Sequence, residues 1–527
     1  MTVSEEVGAA SLARKILSDV FGFDDFRSSQ AAVVAALMAG RNVLAVMPTG
    51  SGKSICYQVP ALARGGLAIV VSPLVALMED QVAALRGRRV AAETINSSRS
   101  REDNVGAWRR VAAGETRLLY LSPERLMTDH MLSALEKLPV SLIAVDEAHC
   151  ISQWGPAFRP EYAGLARLRE FFPKTPIAAF TATADEATRL DVAAKLLGGD
   201  AVTHVAGFDR PNIKLSVMPR DNANRQLMGF LTAHKSQSGI VYCLSRKKAD
   251  ETARMLVEKG LHALPYHAGM TAEARAANQR EFQSSAGVIM VATIAFGMGI
   301  DKSDVRFVFH TDIPGSVEAY YQEIGRAGRD GQPAEACMLY GLDDIRMRRR
   351  FIDAEESDND RKRREHQRLN ALIGYCESPD CRRRPLLAYF GESAEPCGNC
   401  DLCLDPVELI DGTQEARTAL TAVIMTGQRF GVGHVVDVIC GVENEKIGRF
   451  GHDRLSVFGV GGAHSAAQWK SIIRQLIAKA YLEIDIAGYG GISMTQTGHL
   501  LLKGREEFRY RADSGPVPRP KTRRGKR

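Results

Sequence analysis

The segment AVMPTGSGKS (45–54) places a lysine and a serine directly after a glycine-rich turn. An apolar, strand-like run precedes the turn and a helix-like run follows it, so the turn is expected at a helix N-terminus. There the backbone N–H groups close around phosphate oxygens, the lysine neutralises the terminal phosphates, and the serine hydroxyl binds Mg²⁺. Met47 replaces the first glycine of the strict pattern, yet the segment predicts a phosphate-binding loop for ATP. Its predicted contacts come from Thr49, Gly50, Ser51, Gly52, Lys53 and Ser54.

Two adjacent acids, Asp146 and Glu147, follow the apolar run of LIAVDEAH (142–149). Two carboxylates at the end of a buried strand need a cation between them. We expect Asp146 to bind Mg²⁺, directly or through water, and Glu147 to orient and deprotonate the attacking water. His149 has two open roles: a packed core histidine, or a link between the acids and the segment FTATA (180–184).

The helix-like segment YYQEIGRAGRDG (320–331) carries Gln322, Arg326 and Arg329. The two arginines are three residues apart, which predicts that they share one helix face. Arginines on a helix surface usually have no special role. This part of the chain, however, lacks a phosphate loop of its own, so the arginines are predicted to reach across a cleft and stabilise the transition-state charge of ATP hydrolysis.

A loop of aromatic and basic residues, CISQWGPAFRPEY (150–162), comes directly after the acids. Aromatic residues beside a nucleotide site usually belong to the core. Glycine and proline argue against a packed helix or strand here, and exposed aromatics beside arginine stack on the bases of single-stranded nucleic acid. We therefore expect Trp154, Phe158 and Arg159 to contact single-stranded nucleic acid and to couple that contact to hydrolysis.

Four cysteines have the spacing of a metal site, with fifteen, two and two residues between them. In a reducing compartment such spacing favours zinc over disulfides, and a shell of four thiolates leaves no open position for chemistry. The predicted ligands of this structural Zn²⁺ are Cys381, Cys397, Cys400 and Cys403. Cys376 remains an alternative first ligand.

Two series of short apolar runs alternate with helix-like stretches from about residue 28 to residue 345. This alternation predicts two parallel sheets with crossover helices, whose strand ends carry the motifs above. The first series comprises NVLAVM (42–47), LAIVVS (67–72), LLYLS (118–122), LIAVD (142–146) and IAAFT (177–181). The second comprises GIVYCL (239–244), ALPYH (263–267), VIMVAT (288–293), VRFVFH (305–310) and ACMLYG (336–341).

The C-terminal part begins with a charge-dense stretch at 346–368, which predicts helices with a solvated face. A third folded unit starts near residue 411, where a helix is followed by two β-like runs around the glycine-rich turn AGYGG (487–491). A helix followed by a hairpin predicts a winged helix. The apolar residues at helical spacing are Trp469, Ile472, Ile473, Leu476 and Ile477.

Composition places the chain among ordinary multidomain globular proteins. Its 527 residues exceed one hydrophobic core, and no apolar run approaches the roughly 20 residues of a membrane span. The acidic N-terminus does not resemble a secretory signal, so we expect a cytoplasmic protein. The net charge of +6 matches the six bases of the last twelve residues. That tail has two open roles, a solvated appendage or a salt-sensitive contact with DNA.

The order of motifs resembles the superfamily 2 helicases, and specifically the RecQ family. The motifs are FGFDDFRSSQ, PTGSGKS, VVSPLVALMEDQV, YLSPERL, DEAH, TATA, YHAGM, VATIAFGMGIDK and QEIGRAGRDG. CGNCDLC resembles the zinc module of the same family. The resemblance implies 3′ to 5′ unwinding of duplex DNA with ATP and Mg²⁺, in replication, repair and recombination.

The resemblance also assigns roles to single residues. Phe23 is expected to stack on adenine, with Arg27 and Gln30 bonding the base, although Ser28 and Ser29 replace the proline and glycine frequent in relatives. Tyr489, at the hairpin tip, is either a wedge at the duplex junction or part of an ordinary glycine-rich turn.

The predicted fold class is therefore α/β, with two tandem RecA-like lobes, a helical zinc-binding module and a winged helix. The family's frequent C-terminal helical DNA-binding domain is expected to be absent. Predicted partners are single-stranded and duplex or forked DNA, with a single-strand DNA-binding protein as a further candidate, a nucleoid association and no membrane. The expected domains are the first lobe (1–206), the second lobe (207–345), the zinc-binding module (346–406), the winged helix (407–513) and a basic tail (514–527).

Three other functions compete with this reading. An RNA helicase shares the hydrolytic motifs, but the zinc module and winged helix favour duplex DNA. A non-catalytic DNA-binding regulator would not need intact Lys53, Asp146 and Glu147. A translocase that does not separate strands differs only at the hairpin with Tyr489.

Overall fold

The computed structural model describes most of the chain in two compact units. The described residues are 3–48, 50–152, 159–184, 186–199, 201–294, 296, 302–355, 358–379, 381–484 and 491–511. The first unit contains Met1–Leu215, Asp221–Met338 and Leu386–Glu395, and the second contains Ser216–Arg220, Leu339–Pro385 and Pro396–Arg527. Among these residues, no helix combines the length and apolar character of a membrane span.

The first lobe is a seven-stranded parallel sheet with the order β3-β4-β2-β5-β6-β1-β7. Five of its strands are buried along their whole length, as expected where helices cover both faces. Its strands are β1 (Val43–Val46), β2 (Leu67–Val71), β3 (Ala92–Ile95), β4 (Leu118–Leu121), β5 (Val140–Val145), β6 (Ile177–Thr181) and β7 (Val202–Val205).

The helices of this lobe pack on that sheet. Several begin at a Ser or Thr whose hydroxyl accepts a backbone N–H, such as Ser100, Ser122 and Thr128. They are α1 (Val3–Phe21), α2 (Ser28–Met38), α3 (Lys53–Arg64), α4 (Val75–Gly87), α5 (Arg101–Ala112), α6 (Pro123–Leu126), α7 (Asp129–Leu135), α8 (Pro160–Ala163), α9 (Leu168–Phe171) and α10 (Glu186–Val192). Short 3₁₀ turns lie at Ala148–Ile151 and Gly164–Arg167, and a π turn at Ala193–Leu197.

The second lobe is a six-stranded sheet with the order β10-β11-β9-β12-β13-β8. The pairs from β10 to β13 are parallel, so the prediction of two parallel-sheet lobes is confirmed. The strands are β8 (Ile213–Pro219), β9 (Gly239–Tyr242), β10 (Ala263–Tyr266), β11 (Ile289–Ala292), β12 (Phe307–His310) and β13 (Ala334–Tyr340). The helices are α11 (Ala223–Leu231), α12 (Arg246–Glu258), α13 (Ala272–Ser284) and α14 (Val317–Ile324).

The remaining elements are mainly helical. They are α15 (Leu342–Ala354), α16 (Asn359–Glu377), α17 (Arg383–Tyr389), α18 (Asp401–Leu404), β14 (Leu409–Asp411), α19 (Thr413–Met425), α20 (Val432–Cys440), α21 (Glu445–Phe450), α22 (Ala466–Ala478), β15 (Leu482–Ile484), β16 (Ile492–Met494), α23 (Gln496–Leu502) and β17 (Arg509–Arg511). A 3₁₀ turn lies at His452–Arg454.

The predicted winged helix is present in the second unit. Helix α22 buries Trp469, Ile472, Ile473, Leu476 and Ile477. It is followed by β15 and β16, which pair antiparallel in a hairpin. A second small sheet joins β14, which precedes this helix, to β17, which follows it. The predicted tip residue Tyr489 and the tail (514–527) lie outside the described residues.

Candidate active site and metal centre

The phosphate loop lies between β1 and α3, and two of its residues have backbone angles that favour glycine. Gly50 and Gly52 have φ angles of +81° and +79°, in the left-handed region that side chains strain to adopt. A Cβ on Gly52 would also lie 2.5 Å from Nε2 of Gln30. Helix α3 begins at Lys53, so the backbone N–H groups of Lys53 and Ser54 come before the Ile55 N–H, which bonds to the Gly52 carbonyl at 3.1 Å. Thr49 lies outside the described residues.

Two residues of the predicted adenine element support the backbone of this loop. Arg27 Nη1 donates to the Gly50 carbonyl at 3.0 Å, and Gln30 Nε2 donates to the Ser51 carbonyl at 2.8 Å. Phe23 is 51% exposed and leaves its ring face open to a base. Arg27 and Gln30 therefore support the backbone of the phosphate loop. Their predicted role, binding the adenine base, did not include this contact.

The two acids follow β5 at the edge where the phosphate loop also lies. Burial and the neighbouring Glu147 carboxylate raise the pKa of Asp146 to about 6, with Lys53 acting in the opposite direction. Glu147 has a φ of +49°, which is costly for a residue with a side chain and is typical of functional sites. A pair of carboxylates that resists double ionisation fits a divalent cation, and the Mg²⁺ of ATP would be held by Asp146 with Ser54.

Hydrogen bonds connect His149 to the second lobe, and its Nδ1 also lies 3.4 Å from a carboxylate oxygen of Glu147. Its Nδ1 lies 2.8 Å from the Thr181 hydroxyl, and that hydroxyl donates to the Thr183 carbonyl at 3.0 Å. Gln322 Nε2 in turn donates to the Thr183 hydroxyl at 2.9 Å. Because the Thr181 proton is already used, His149 Nδ1 carries a proton and donates it to the Thr181 hydroxyl. Burial, reinforced by Lys53, lowers the pKa of His149 to about 4, which agrees with a neutral ring. Of the two roles left open for His149, the geometry favours the link to FTATA.

Arg326 and Arg329 do not lie on a helix, and the expectation of one shared helix face is wrong. Helix α14 ends at Ile324, and both arginines occupy the turn that follows, where Gly328 has a φ of +57°. The turn is supported by Arg210, whose guanidinium donates to the carbonyls of Gly325, Ala327 and Gly328 at 2.8 to 3.1 Å.

The turn brings Arg329 against the phosphate loop. Arg329 Cγ lies 3.3 Å from the position that a Cβ on Gly50 would occupy. Arg326 is buried, with 6% of its surface exposed. A cleft of about 360 Å³ lies between the phosphate loop and the arginine turn. It is lined by Arg27, Pro48, Gly50, Ser51, Arg210, Asn212, Gly328, Arg329, Asp330 and Gly331.

The predicted aromatic loop is described only at its ends. Trp154 and Phe158 lie outside the described residues. Arg159 is half-buried, and its N–H donates to the Cys150 carbonyl at 3.0 Å. Tyr162 is fully buried and donates its hydroxyl to the Asp146 carbonyl at 3.0 Å. The loop is therefore anchored at its C-terminal end to the backbone of a predicted Mg²⁺ ligand.

Four cysteines converge in the second unit. The sulfur atoms of Cys381, Cys397, Cys400 and Cys403 all lie within 4.8 Å of one another. Tetrahedral Zn–S bonds of about 2.3 Å place sulfurs roughly 3.8 Å apart, so the set fits Zn²⁺. Desolvation would raise the pKa of Cys381, but N–H donors from Cys397, Arg383 and Arg384 lower it to about 7. Cys376 is buried outside this set.

We expect Cys400→Ser to abolish stoichiometric zinc binding. A hydroxyl is a poor replacement for a thiolate, and structural zinc contributes on the order of 10 kcal/mol of binding free energy to its module. Zinc content by atomic absorption and the thermal unfolding temperature measure the loss. Cys376→Ala is the matched control, because it removes a neighbouring buried thiol outside the cluster. Loss of zinc from the control, with zinc retained in Cys381→Ser, would make Cys376 the first ligand.

A groove of about 1050 Å³ in the first lobe carries polar and aromatic side chains that the sequence analysis did not single out. It runs along the ends of β2, β3 and β4, where open sheets bind ligands. Arg101 and Arg125 are exposed in it, beside a half-buried Trp108. Only Arg125 had a signal in the sequence, since it follows closely on the predicted strand LLYLS (118–122).

Four family models match the chain in sequence order. They are DEAD/DEAH box helicase (27–191), helicase conserved C-terminal domain (222–331), RecQ zinc-binding (342–404) and RQC domain (406–517). The "ATP-dependent DNA helicase RecQ" of Haemophilus influenzae is 43% identical over 496 residues, covering 94% of this chain and 80% of that protein. The chain belongs to the RecQ family.

A second RecQ relative agrees with this membership, and two solved structures share the fold. The RecQ helicase of Bacillus subtilis is 37% identical over 93% of this chain and 84% of its own length. Dbp5 of S. cerevisiae bound to RNA and ADP BeF3 superposes with a TM-score of 0.53 at 16% identity, covering 71% of this chain and 93% of that one. The Mycobacterium smegmatis helicase Lhr bound to ssDNA and AMP-PNP superposes with a TM-score of 0.52 at 18% identity. The match covers 94% of this chain and 62% of that one. At these identities the likeness is one of fold.

Proposed function

We propose that the chain is an ATP-dependent DNA helicase that unwinds duplex DNA in the 3′ to 5′ direction, in DNA repair, recombination and replication. The observation that carries the proposal is that the second lobe reaches the first at two points: Arg329 lies against Gly50 of the phosphate loop, and Gln322 bonds to Thr183. Both halves of a hydrolytic site thus belong to one chain of the RecQ family, whose similar relatives are named ATP-dependent DNA helicases.

The residues around the cleft divide the work of hydrolysis. Lys53 and the first turn of α3 would bind the β- and γ-phosphates, while Ser54 and Asp146 would hold the Mg²⁺, which supplies positive charge against the phosphates. Glu147 orients the attacking water and takes its proton. Arg326 and Arg329 stabilise charge on the transferred phosphoryl group. Phe23 would stack on the adenine. Arg27 and Gln30 would hydrogen-bond to the adenine or keep their contacts with the phosphate loop.

Hydrolysis is coupled to lobe movement through the hydrogen bonds around His149. When Gln322 moves with the second lobe, its hydrogen bond to Thr183 is made or lost. Thr181 and His149 then pass this change to Glu147, whose carboxylate lies 3.4 Å from His149 Nδ1. We assign the contact with DNA to Trp154, Phe158 and Arg159, and strand separation to the hairpin that carries Tyr489.

Unwinding assays with tailed substrates test this function. The protein should separate a 3′-tailed DNA duplex with ATP and Mg²⁺, and should leave 5′-tailed DNA and the matching RNA duplexes largely intact. ATP hydrolysis without strand separation on any substrate would make the chain a translocase. Preferential unwinding of RNA would make it an RNA helicase.

The groove beside Trp108 is proposed as the track for single-stranded DNA on the first lobe. Its two exposed arginines suit phosphates, and an indole offers a stacking surface for a base. The protein would act in the cytoplasm, associated with the nucleoid, and a single-strand DNA-binding protein is a candidate partner on the same substrate.

We expect Arg101→Ala combined with Arg125→Ala to weaken single-stranded DNA binding about tenfold. The slope of log affinity against log salt should also fall by about 1.4, because two phosphate contacts are lost and each contributes roughly 0.7 on a single strand. Fluorescence anisotropy at several salt concentrations measures both quantities. Arg109→Ala, on the same helix α5 but outside the groove, is the control and should bind like the wild type. An unchanged salt slope in the double variant would remove the groove from the DNA path.

A further inference from the structure

The chain between Cys381 and Cys397 leaves the second unit and returns to it. Its middle, Leu386–Glu395, belongs to the first unit, whereas the residues on both sides belong to the second. We call Leu386–Glu395 the docking segment. Two predicted zinc ligands, Cys381 and Cys397, therefore stand at the two ends of the chain that carries it.

The docking segment packs against the connection between the two lobes. That connection, residues 207–212, follows β7 of the first lobe and precedes β8 of the second, and we call it the linker. The ring of Phe390 stacks on linker residue Phe208, with 4.5 Å between ring centroids and 14° between planes. Tyr321 of α14 completes the cluster, at 5.7 Å from Phe208 and 5.0 Å from Phe390. All three rings are at most 2% exposed.

Hydrogen bonds also join the docking segment, the linker and α14. Both carboxylate oxygens of Glu392 accept the Phe208 N–H at 3.0 Å, and the Tyr321 hydroxyl donates to the Phe208 carbonyl at 2.8 Å. The Tyr389 hydroxyl donates to a carboxylate oxygen of Glu318, in the first turn of α14, at 2.7 Å. A backbone N–H bonded to a carboxylate is a strong, charge-assisted contact. Linker residue Phe208 is thus held by contacts at its N–H, its carbonyl and its ring.

The residues held in this way adjoin the hydrolytic groups of the second lobe. Linker residue Arg210 supports the turn that carries Arg326 and Arg329 through three backbone carbonyls. Tyr321 precedes Gln322, which bonds to Thr183 of the first lobe. A shift of Phe208 or Tyr321 would therefore disturb the arginine turn or the glutamine, and a misplacement of about 1 Å costs large factors in rate.

We propose that the docking segment is a clamp on the linker, and that Tyr389, Phe390 and Glu392 are positioning residues for ATP hydrolysis. Zinc bound by Cys381 and Cys397 closes the base of the chain that carries this clamp. The zinc module then acts on the motor as well as on its own fold. This inference rests on the proposed function, and it deepens that function by assigning a regulatory contact to the hydrolytic site.

Phe390→Ala and Glu392→Gln test the clamp. We expect each to lower kcat for DNA-stimulated ATP hydrolysis about tenfold, with KM for ATP changed less than threefold and one zinc per chain retained. Backbone hydrogen exchange of residues 207–212 and 325–330 should become faster in both variants. Combining Phe390→Ala with Phe208→Ala should add little to either single loss in kcat, because both remove the same stacked pair.

Ser393→Ala is the control, since Ser393 is exposed in the same docking segment. Normal kcat together with unchanged linker exchange in Phe390→Ala and Glu392→Gln would overturn the clamp. A protein without any ATPase activity would contradict the proposed function instead, and the exchange measurement would still decide the clamp. Cys397→Ser should also speed backbone hydrogen exchange of the linker. Slow linker exchange in a chain without zinc would show that the clamp does not need the metal.

Discussion

Glu147→Gln is expected to lower kcat for ATP hydrolysis about a thousandfold while leaving ATP affinity within a few-fold of the wild type. General-base catalysis typically contributes factors of about 10² to 10⁴. Gln has the same size and keeps an acceptor oxygen, so the left-handed backbone of residue 147 and the fold around it are retained. Only the basic oxygen that removes the proton from water is lost. Steady-state hydrolysis gives kcat, and a fluorescent ATP analogue gives affinity.

An exposed acid of the same lobe supplies the control. Glu136→Gln removes a carboxylate at the end of α7 and should leave both quantities unchanged. Unwinding of 3′-tailed DNA should fall together with hydrolysis in Glu147→Gln. A kcat within tenfold of the wild type would show that another group accepts the proton.

The buried strands were predictable because local composition decides them. A run such as Leu67–Val71 has few states other than a strand covered on both faces. Strand β3 was missed because Glu93 and Thr94 stand in its middle. Glu93 is only 6% exposed, since Arg86 and Arg110 bind its two oxygens at 2.6 and 2.7 Å. Arg86 and Arg110 lie in the helices before and after the strand in sequence. No local sequence pattern predicts their ion pairs with Glu93.

The hydrolytic residues were predictable by type, but their supports were not. Spacing alone placed Arg326 and Arg329 on a helix, whereas Gly325 ends α14 and the following carbonyls bond to Arg210 and Asn212. These partners lie more than a hundred residues away in the sequence. The docking segment shows the same limit, because its contacts with Phe208 join residues 184 positions apart.

The hydrogen bonds at Gly50 and Ser51 have a similar origin. Arg27 and Gln30 stand at the start of α2, and their interpretation as adenine ligands came from the order of motifs. Their contacts with the phosphate loop depend on how α2 packs beside α3. Packing of this kind turns a recognisable motif into a rigid site, and only a three-dimensional structure describes it.

Arg329→Ala is expected to lower kcat by about a thousandfold, with a much smaller effect on the affinity for ATP. Arginines that reach a transferring phosphoryl group are worth factors of about 10³ to 10⁵, or roughly 4 kcal/mol or more of transition-state stabilisation. Arg329 is the arginine that the structure places against the phosphate loop, beside Gly50. Single-turnover hydrolysis measures the chemical step apart from product release.

Three further variants separate charge, position and general damage. Arg329→Lys should recover only part of the loss, because an ammonium group lacks the planar fork of guanidinium. Gly50→Ala should also slow hydrolysis, since its Cβ would meet Arg329 Cγ at 3.3 Å and a φ of +81° is strained for alanine. Arg280→Ala, an exposed arginine of α13 in the same lobe, should behave like the wild type. A normal single-turnover rate in Arg329→Ala would instead leave Arg326 as the residue that stabilises the transition state, and the turn held by Arg210 would then serve that buried arginine.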